Sequence, residues 1–305
     1  MVGKVERKHE LRSFGLLSYY LDGMEGMDDY ALIMALEKRI HQVYAEQGLK
    51  SLRFGAGENQ SFAPLGVDLF GKYYGTVVQD ETVEVGEDEE VEYFYSQALF
   101  TDLISLSDQA IYYTAYLYVL APLINNPLDR PVYIPGYPGV MYFNEQNPPA
   151  KRFDSISDTL AEKTYAFWGR LGTLLNRYLA KPLAPHRVDF SRVMDCIEQQ
   201  MGAYHGNAGY QWLKAFKDNE QKELNEQRRL IVHHQTSGTA FHNKHIEAVL
   251  DRNAMEAIMN ERFQRPDFFK AYHKLSMEAL EKSLDLIAML PAPPPPKVVK
   301  KKTTA

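Results

Sequence analysis

The sequence predicts a mainly all-α protein, and three features carry that prediction. Apolar residues recur at helical spacing in long segments of both halves, whereas short strand-like runs are confined to residues 51–95. Glycine and proline fall at the ends of the helical segments, where they terminate or begin helices. An apolar fraction of 45% in 305 residues is enough for a sizeable core. We expect an up-and-down helical bundle in the C-terminal half, preceded by a helical region with a small irregular or β-hairpin insertion.

The N-terminal half, residues 1–150, has the less regular pattern. Residues 24–49 carry apolar side chains at helical spacing and stop at a glycine, which predicts one helix. Residues 51–95 are rich in glycine and in short runs such as K-Y-Y-G-T-V-V, which predict loops with a small hairpin. Residues 96–121 return to a helical pattern.

A connector rich in proline and tyrosine follows at residues 122–150. It contains seven prolines, which forbid a continuous helix or a central strand, so we place the domain boundary here. Beyond it, residues 151–290 are predicted to form a helical bundle, and the Pro/Lys-rich residues 291–305 a disordered tail. The helices of the bundle are expected at residues 155–181, 189–204, 208–235, 243–262 and 267–290.

The cysteine content and the apolar segments predict where in the cell the protein works. A single cysteine, Cys196, cannot form an internal disulfide, and the first ten residues lack the apolar segment of a secretory signal. The most apolar stretch, residues 110–124, has 15 residues, whereas roughly 20 are needed to span a membrane. These observations predict a cytoplasmic protein without a membrane partner, and a buried helix at residues 110–124.

The charge is unevenly distributed along the chain. The net charge is −6, but eight acidic residues and no basic ones fall between positions 80 and 92. Residues 151–187 instead carry seven basic and three acidic residues. The second half can therefore meet a polyanion although the whole chain is acidic, and a solvated helix surface is the alternative interpretation. The acidic run either shields this basic face or forms an exposed loop.

The third helix of the predicted bundle ends in a segment with candidate chemistry. It reads Arg228-Arg229-Leu230-Ile231-Val232-His233, with His234 next and Gly238 shortly beyond. The segment resembles the R-N-x-x-x-H signature of the HEPN superfamily, an all-α group of nucleotide-binding domains. The resemblance covers about ten residues in motif and residues 153–290 in architecture. The residue after the first arginine is usually Asn in the family and is Arg229 here.

The resemblance implies a homodimer whose shared cleft cleaves RNA without a metal ion or any other cofactor. His233 would be the general acid or base and Arg228 the phosphate clamp, with the ribose 2′-OH as the attacking group. Further residues would support the substrate or the histidine: Arg229 as a second clamp, His234, Asn225 and Glu226. Many HEPN ribonucleases are toxins or defence effectors, for which a neutralising protein is a candidate partner. Other members bind nucleotides without cleaving them.

Helix geometry constrains this site. At 100° per residue, Arg228 and His233 lie about 140° apart around a regular helix, whereas Arg229 and His233 lie about 40° apart and can touch. Arg228 and His233 therefore cooperate only if the helix loosens near Gly238, or if two copies of the motif face each other across a two-fold axis. Arg229 and His234 have the same offset, so the register stays open. We prefer Arg228 with His233, because residues 230–232 then form the aliphatic spacer of the family.

Three other interpretations stay open. The segment can bind RNA or a nucleotide without turnover. It can also be structural, as part of a helical interaction protein, with histidines at a helix C-terminus and arginines paired with nearby acids such as Glu226. A metal site is the rival enzyme hypothesis, because His242 and His245 follow His233 and His234 closely. The H-E-x-x-H motif is missing, so we predict no metal ion.

Overall fold

The computed structural model describes residues 29–52, 63–64, 68–78, 89–91, 96–136, 139–144, 146–233, 235–293 and 298–300. Within these ranges the chain is mainly α-helical, and its strands form only short two-stranded pairings. The mainly all-α fold class predicted from the sequence is confirmed.

The elements before residue 121 surround one long helix. Helix α1 ends because Gly48 adopts a left-handed conformation with φ 62°, as the sequence predicts. The elements are α1 (Asp29–Gln47), β1 (Lys50–Ser51), β2 (Ala63–Pro64), α2 (Leu69–Tyr73), a π-helical turn (Tyr74–Val78), β3 (Glu89–Val91) and α3 (Ser96–Leu120). β1 pairs with β2 in parallel, and residues 24–28 of the predicted first helix lie outside the described ranges.

The run from Lys72 to Val78 is helical, although its sequence predicts a strand. Leu69, Tyr73 and Val77 recur every four residues and are all buried in the core, which is the spacing of a helix face. The Asp68 side chain accepts a hydrogen bond of 2.6 Å from the Gly71 amide and so caps the start of α2. The hairpin interpretation of this run is therefore wrong, because burial of one face overrides β propensity.

The proline-rich connector has its own ordered structure. It contains two 3-10 turns, Ala121–Leu123 and Pro127–Asp129, and an antiparallel pairing of β4 (Val132–Tyr133) with β5 (Val140–Met141). Helix α4 then runs from Pro148 to Asn176, so it begins seven residues before the predicted start. Asn147 caps it by accepting a hydrogen bond of 3.1 Å from the Ala150 amide, and prolines are tolerated in a first helical turn.

The C-terminal helices are shorter and more numerous than predicted. They are α5 (Phe190–Gln200), α6 (Ala208–Asp218), α7 (Glu220–His233), α8 (Ser237–Ala248), α9 (Arg252–Phe263) and α10 (Arg265–Ile287). The helix predicted at 208–235 breaks at Asn219, whose side chain donates a 2.8 Å hydrogen bond to the Ala215 carbonyl. The helix predicted at 243–262 breaks before Asp251, which caps α9 by accepting from the amides of Asn253 and Ala254.

The hydrophobic core crosses the predicted domain boundary. Tyr73 and Phe100 precede residue 150 and Trp168 and Phe216 follow it, yet all four belong to the same buried cluster. The rings of Trp168 and Phe216 stack with centroids 3.6 Å apart, and those of Tyr73 and Phe100 stack at 4.3 Å. Helices α3 and α4 pack against each other along their lengths. The boundary near residue 150 therefore does not divide the molecule into two cores.

Two further sequence predictions concern residues 110–124 and the tail. Ile111, Ala115 and Leu117 of α3 are fully buried, which agrees with the predicted buried helix. Among the described helices, none combines the length and hydropathy needed to cross a membrane. In the tail predicted to be disordered, Val298–Lys300 form strand β6, which pairs antiparallel with Glu89–Val91 of the acidic run.

A buried ion pair joins α4 to α9. Arg262 is 1% exposed, and its Nη2 donates to Asp154 Oδ2 at 2.7 Å and to the Ala150 carbonyl at 3.1 Å. The guanidinium carbon lies 4.1 Å from the ring centroid of Phe241 on α8. Burial raises the pKa of the Asp154 carboxyl and lowers that of the Arg262 guanidinium, although each charge opposes the shift of the other. Arg265 Nη1 is a second cation 3.8 Å from Asp154 Oδ1, so the buried carboxylate is compensated by two arginines and the Arg262 charge by Asp154.

We predict that Asp154→Ala lowers the free energy of unfolding by about 3–5 kcal/mol, because it leaves the Arg262 charge buried without its partner. The double variant Asp154→Leu/Arg262→Met is expected to be more stable than Asp154→Ala, since it removes both charges. Urea unfolding monitored by circular dichroism measures both changes.

The matched control is Glu261→Ala, which breaks the pair between Lys244 and Glu261 on the surface. Both side chains of that pair are about half exposed, so its loss should change the unfolding free energy by less than about 1 kcal/mol. Equal losses in Asp154→Ala and Glu261→Ala would contradict a structural role for the buried pair.

Candidate functional site

The candidate segment lies on α7, which packs along α4. Leu224 is fully buried, Gln221 is buried, and Ile231 packs against the cluster that contains Leu160 of α4. These three positions define the side of α7 that faces the protein. Because the break at Asn219 separates α7 from α6, the segment belongs to a short helix of its own and not to the end of a long one.

Arg228 lies on the protein-facing side of α7, over an aromatic ring. Its guanidinium carbon is 4.2 Å from the ring centroid of Tyr165 on α4, which is a cation–π contact. Among the side chains that the structure describes, no carboxylate lies within ion-pair distance of Arg228. The charge of Arg228 is therefore positioned by Tyr165 and left available for an anion.

An open groove of about 510 Å³ runs beside Arg228, between α3, α4 and α7. Three of its side chains are cationic and two are acidic. Arg170 Nε lies 3.1 Å from Asp102 Oδ2, and the two side chains are 43% and 44% exposed. The lining consists of Asp102, Ser105, Leu106, Glu162, Lys163, Tyr165, Ala166, Arg170 and Arg228. The groove thus has an excess of positive charge.

Arg229 and Glu226 lie on the opposite, open side of α7. Their charged groups are 3.8 Å apart, and the side chains are 64% and 70% exposed, so the pair is a solvated one. Asn225, one turn before Arg229, is partly buried. Arg229 is therefore the predicted clamp that solvent reaches most freely, whereas Arg228 faces the groove.

His233 is the last residue of α7, and its side chain lies outside the described part of the structure, as does the whole of His234. The helix is α-helical from Glu220 to His233. Position 233 is therefore about 140° from position 228 and about 40° from position 229 around the axis. The structure places Arg228 and position 233 on different sides of one helix, and Arg229 and position 233 on the same side.

Gly238 does not end this helix, which corrects the sequence interpretation. It lies in the first turn of α8, which Thr236 caps by accepting a hydrogen bond of 3.3 Å from the Thr239 amide. A Cβ atom at position 238 would lie 3.3 Å from Asp154 Oδ2, so close packing on α4 favours glycine there. The Ser237 amide donates to Asp158 Oδ1 at 3.1 Å. In the described backbone α7 stays helical up to His233, so loosening of its last turn as a way to bring Arg228 and His233 together stays a prediction.

The histidines of the rival metal hypothesis have different environments. His245 is buried, and its Nε2 lies 2.7 Å from the Tyr142 carbonyl, to which it donates when that nitrogen carries the proton. His242, on the same helix, is exposed. Across the described ranges, no three His, Cys, Asp or Glu side chains come together in a way that could hold a metal ion.

Comparison of the chain with protein-family models, with curated proteins and with solved structures gives no match. The HEPN resemblance therefore stays a prediction that rests on the α7 segment.

Tyr165 and Asp102 were missed by the sequence interpretation. Lys163 and Arg170 fall in the basic stretch at 151–187, so their charge gave a signal, and their separation of seven residues places them on one side of α4. Tyr165 gave no separate signal in a chain with 20 tyrosines. Asp102 comes from α3, and only the packing of α3 on α4 brings it to the groove.

We predict that the free energy of unfolding falls as the pH falls below about 6.5, partly because of His245. Burial lowers the pKa of His245, so the folded state binds a proton less readily than the unfolded state. The contribution of His245 to the free energy of unfolding is therefore present above the pKa of this histidine in the unfolded state. It is lost as the pH falls towards the lower pKa of the folded state.

Urea unfolding of wild type and His245→Gln at pH 7.5 and pH 5.5 tests this. The glutamine amide can still donate to the Tyr142 carbonyl but does not titrate, so the variant should lose less stability on acidification. The control His186→Gln changes an exposed histidine that does not contribute to the pKa shift of His245, and it should behave like wild type. An unchanged loss in His245→Gln would show that its burial does not govern this pH dependence.

Proposed function

We propose that the chain is a metal-independent RNA endonuclease whose site is formed by the α7 helices of two copies. The observation that carries the proposal is Arg228, a guanidinium held on Tyr165 at the edge of a cationic groove with no carboxylate partner among the described residues. A guanidinium in this setting suits a phosphodiester, because it can form paired hydrogen bonds to two phosphate oxygens.

The chemistry assigned to the segment is an internal transesterification. A general base takes the proton of the ribose 2′-OH, the 2′-oxygen bonds to phosphorus, and the bond from phosphorus to the 5′-oxygen breaks. A general acid gives a proton to the leaving 5′-oxygen, so the products are a 2′,3′-cyclic phosphate and a 5′-hydroxyl. His233 is proposed for proton transfer because imidazole titrates near neutral pH. Arg228 and Arg229 are proposed to hold the phosphate charge that grows in the transition state.

The geometry of α7 supports assembly of the site from two copies. Arg228 and position 233 lie about 140° apart around one helix, so a phosphate bound at Arg228 lies on a different side from position 233 of the same chain. A second copy related by a two-fold axis can present its own position 233 to the first copy's Arg228. The homodimer, the role as a toxin or defence effector and a neutralising partner remain parts of this proposal.

The same separation favours a second candidate function. If the chain acts alone, the groove beside Arg228 still has the charge and the aromatic side chain of an RNA- or nucleotide-binding surface, but position 233 of the same helix lies on a different side from Arg228. Such a module would bind RNA without cleaving it. A purely structural role for α7 would give neither binding nor cleavage.

We predict that purified wild type cleaves labelled RNA in EDTA and leaves 2′,3′-cyclic phosphate ends. His233→Ala should lower the cleavage rate by about 10²- to 10⁴-fold, because it removes the proton-transfer group. Arg228→Ala should lower the rate and also weaken RNA binding. Denaturing gels measure cleavage, fluorescence anisotropy measures binding, and circular dichroism verifies the fold.

His242→Ala is the matched control, since His242 is an exposed histidine on the next helix and outside the proposed site. It should leave cleavage unchanged. RNA binding without cleavage would favour the second candidate function. Cleavage that disappears on chelation alone, or that survives His233→Ala, would overturn the proposed mechanism.

A further inference from the structure

The groove beside Arg228 extends well beyond the α7 segment. Lys163 and Arg170 are two turns apart on α4, about 10.5 Å along its axis, and Arg228 approaches the same groove from α7. The cations are therefore spread along the groove instead of meeting at one point. Such a distribution fits an extended chain of phosphates better than a single small anion.

Arg170 already has an anionic partner of the protein's own. Its Nε lies 3.1 Å from Asp102 Oδ2, and both side chains are more than two-fifths exposed, at 43% and 44%. An ion pair between side chains that are nearly half exposed contributes little to stability, so the Asp102 carboxylate can be exchanged for another anion. Asp102 meets Arg170 as an ion pair, and a phosphodiester offers the guanidinium an anionic partner of the same sign.

We propose that this groove binds the phosphodiester backbone of RNA next to the cleaved bond, and that Asp102 competes with the RNA phosphate for Arg170. Asp102 thus weakens RNA binding and makes it depend on the opening of the Asp102–Arg170 pair. The inference rests on the proposed function for the identity of the polyanion. It adds Lys163 and Arg170 as substrate-binding residues, and Asp102 as the residue that opposes them.

Glu162 is the other acid of the groove, and it has a different role in the proposal. It is exposed, and no described cation is its ion-pair partner within the groove. Its removal changes the groove's charge without releasing Arg170. Glu162→Gln therefore separates a general charge effect from the specific competition by Asp102.

The experiment measures the dissociation constant of a labelled 2′-O-methyl RNA, which lacks the free 2′-OH needed for cleavage. We expect Asp102→Asn to bind about three- to tenfold more tightly than wild type, and Arg170→Ala and Lys163→Ala to bind more weakly. The gain from Asp102→Asn should vanish in Asp102→Asn/Arg170→Ala. The slope of log affinity against log salt should fall by about 0.7 when a phosphate contact is removed.

Asp189→Asn is the matched control for the change of charge. Asp189 pairs with Arg192 Nε at the same distance of 3.1 Å at the start of α5, and asparagine can keep its capping hydrogen bond. This variant changes the net charge as Asp102→Asn does, but outside the groove. It should leave RNA binding close to that of wild type.

The outcomes separate this inference from the proposed function. If Asp102→Asn, Glu162→Gln and Asp189→Asn have equal effects, or if the gain persists without Arg170, the competition is overturned although RNA cleavage stands. If the binding effects appear as expected but unmodified RNA is never cleaved, the groove inference stands and the endonuclease proposal fails. If wild type neither binds this RNA nor cleaves unmodified RNA, both are overturned.

Discussion

The buried ion pair between Asp154 and Arg262 is the constraint on which the arrangement of the C-terminal helices depends. Opposite charges out of water are tolerable when they are paired, so α4 and α9 must keep a fixed distance and register. Arg265, at the start of α10, is a second cation for Asp154. Phe241 of α8 covers the guanidinium, and Gly238 packs against the Asp154 carboxylate. The pair thereby helps to hold the first turn of α8, which Thr236 caps, against α4.

The position of α7 depends on how the start of α8 is held on α4. The described residues between position 234 and α8 are Gln235 and Thr236. The first residue of α8, Ser237, donates a hydrogen bond from its amide to Asp158 of α4. The end of α7 is therefore held close to α4, and Leu224 and Ile231 keep one side of the helix against the protein. Arg228 shares that side and meets Tyr165, while Arg229 and Glu226 remain in solvent. The division of the segment into a groove side and an open side is thus a consequence of packing.

The sequence predicted what depends on local patterns and missed what depends on tertiary packing. The fold class, the helix end at Gly48 and the buried face of α3 followed from periodicity and from the conformational freedom of glycine. Gly238 was misinterpreted because a glycine needed for close packing cannot be told from one that ends a helix. The sequence singled out Arg228 as a candidate, but the groove beside it requires Asp102 from α3 and Lys163 from α4, which no local pattern connects.

The central claim is that Arg228 of one chain works with position 233 of another, and complementation tests it most directly. Arg228→Ala and His233→Ala chains are co-expressed with different tags, and the mixed dimer is purified and assayed on RNA in EDTA. We predict that each variant alone is inactive and that the mixed dimer recovers about half of the wild-type rate, because one of its two composite sites is intact. A mixed dimer as inactive as its parents, alongside an active wild type, would contradict a site shared between chains.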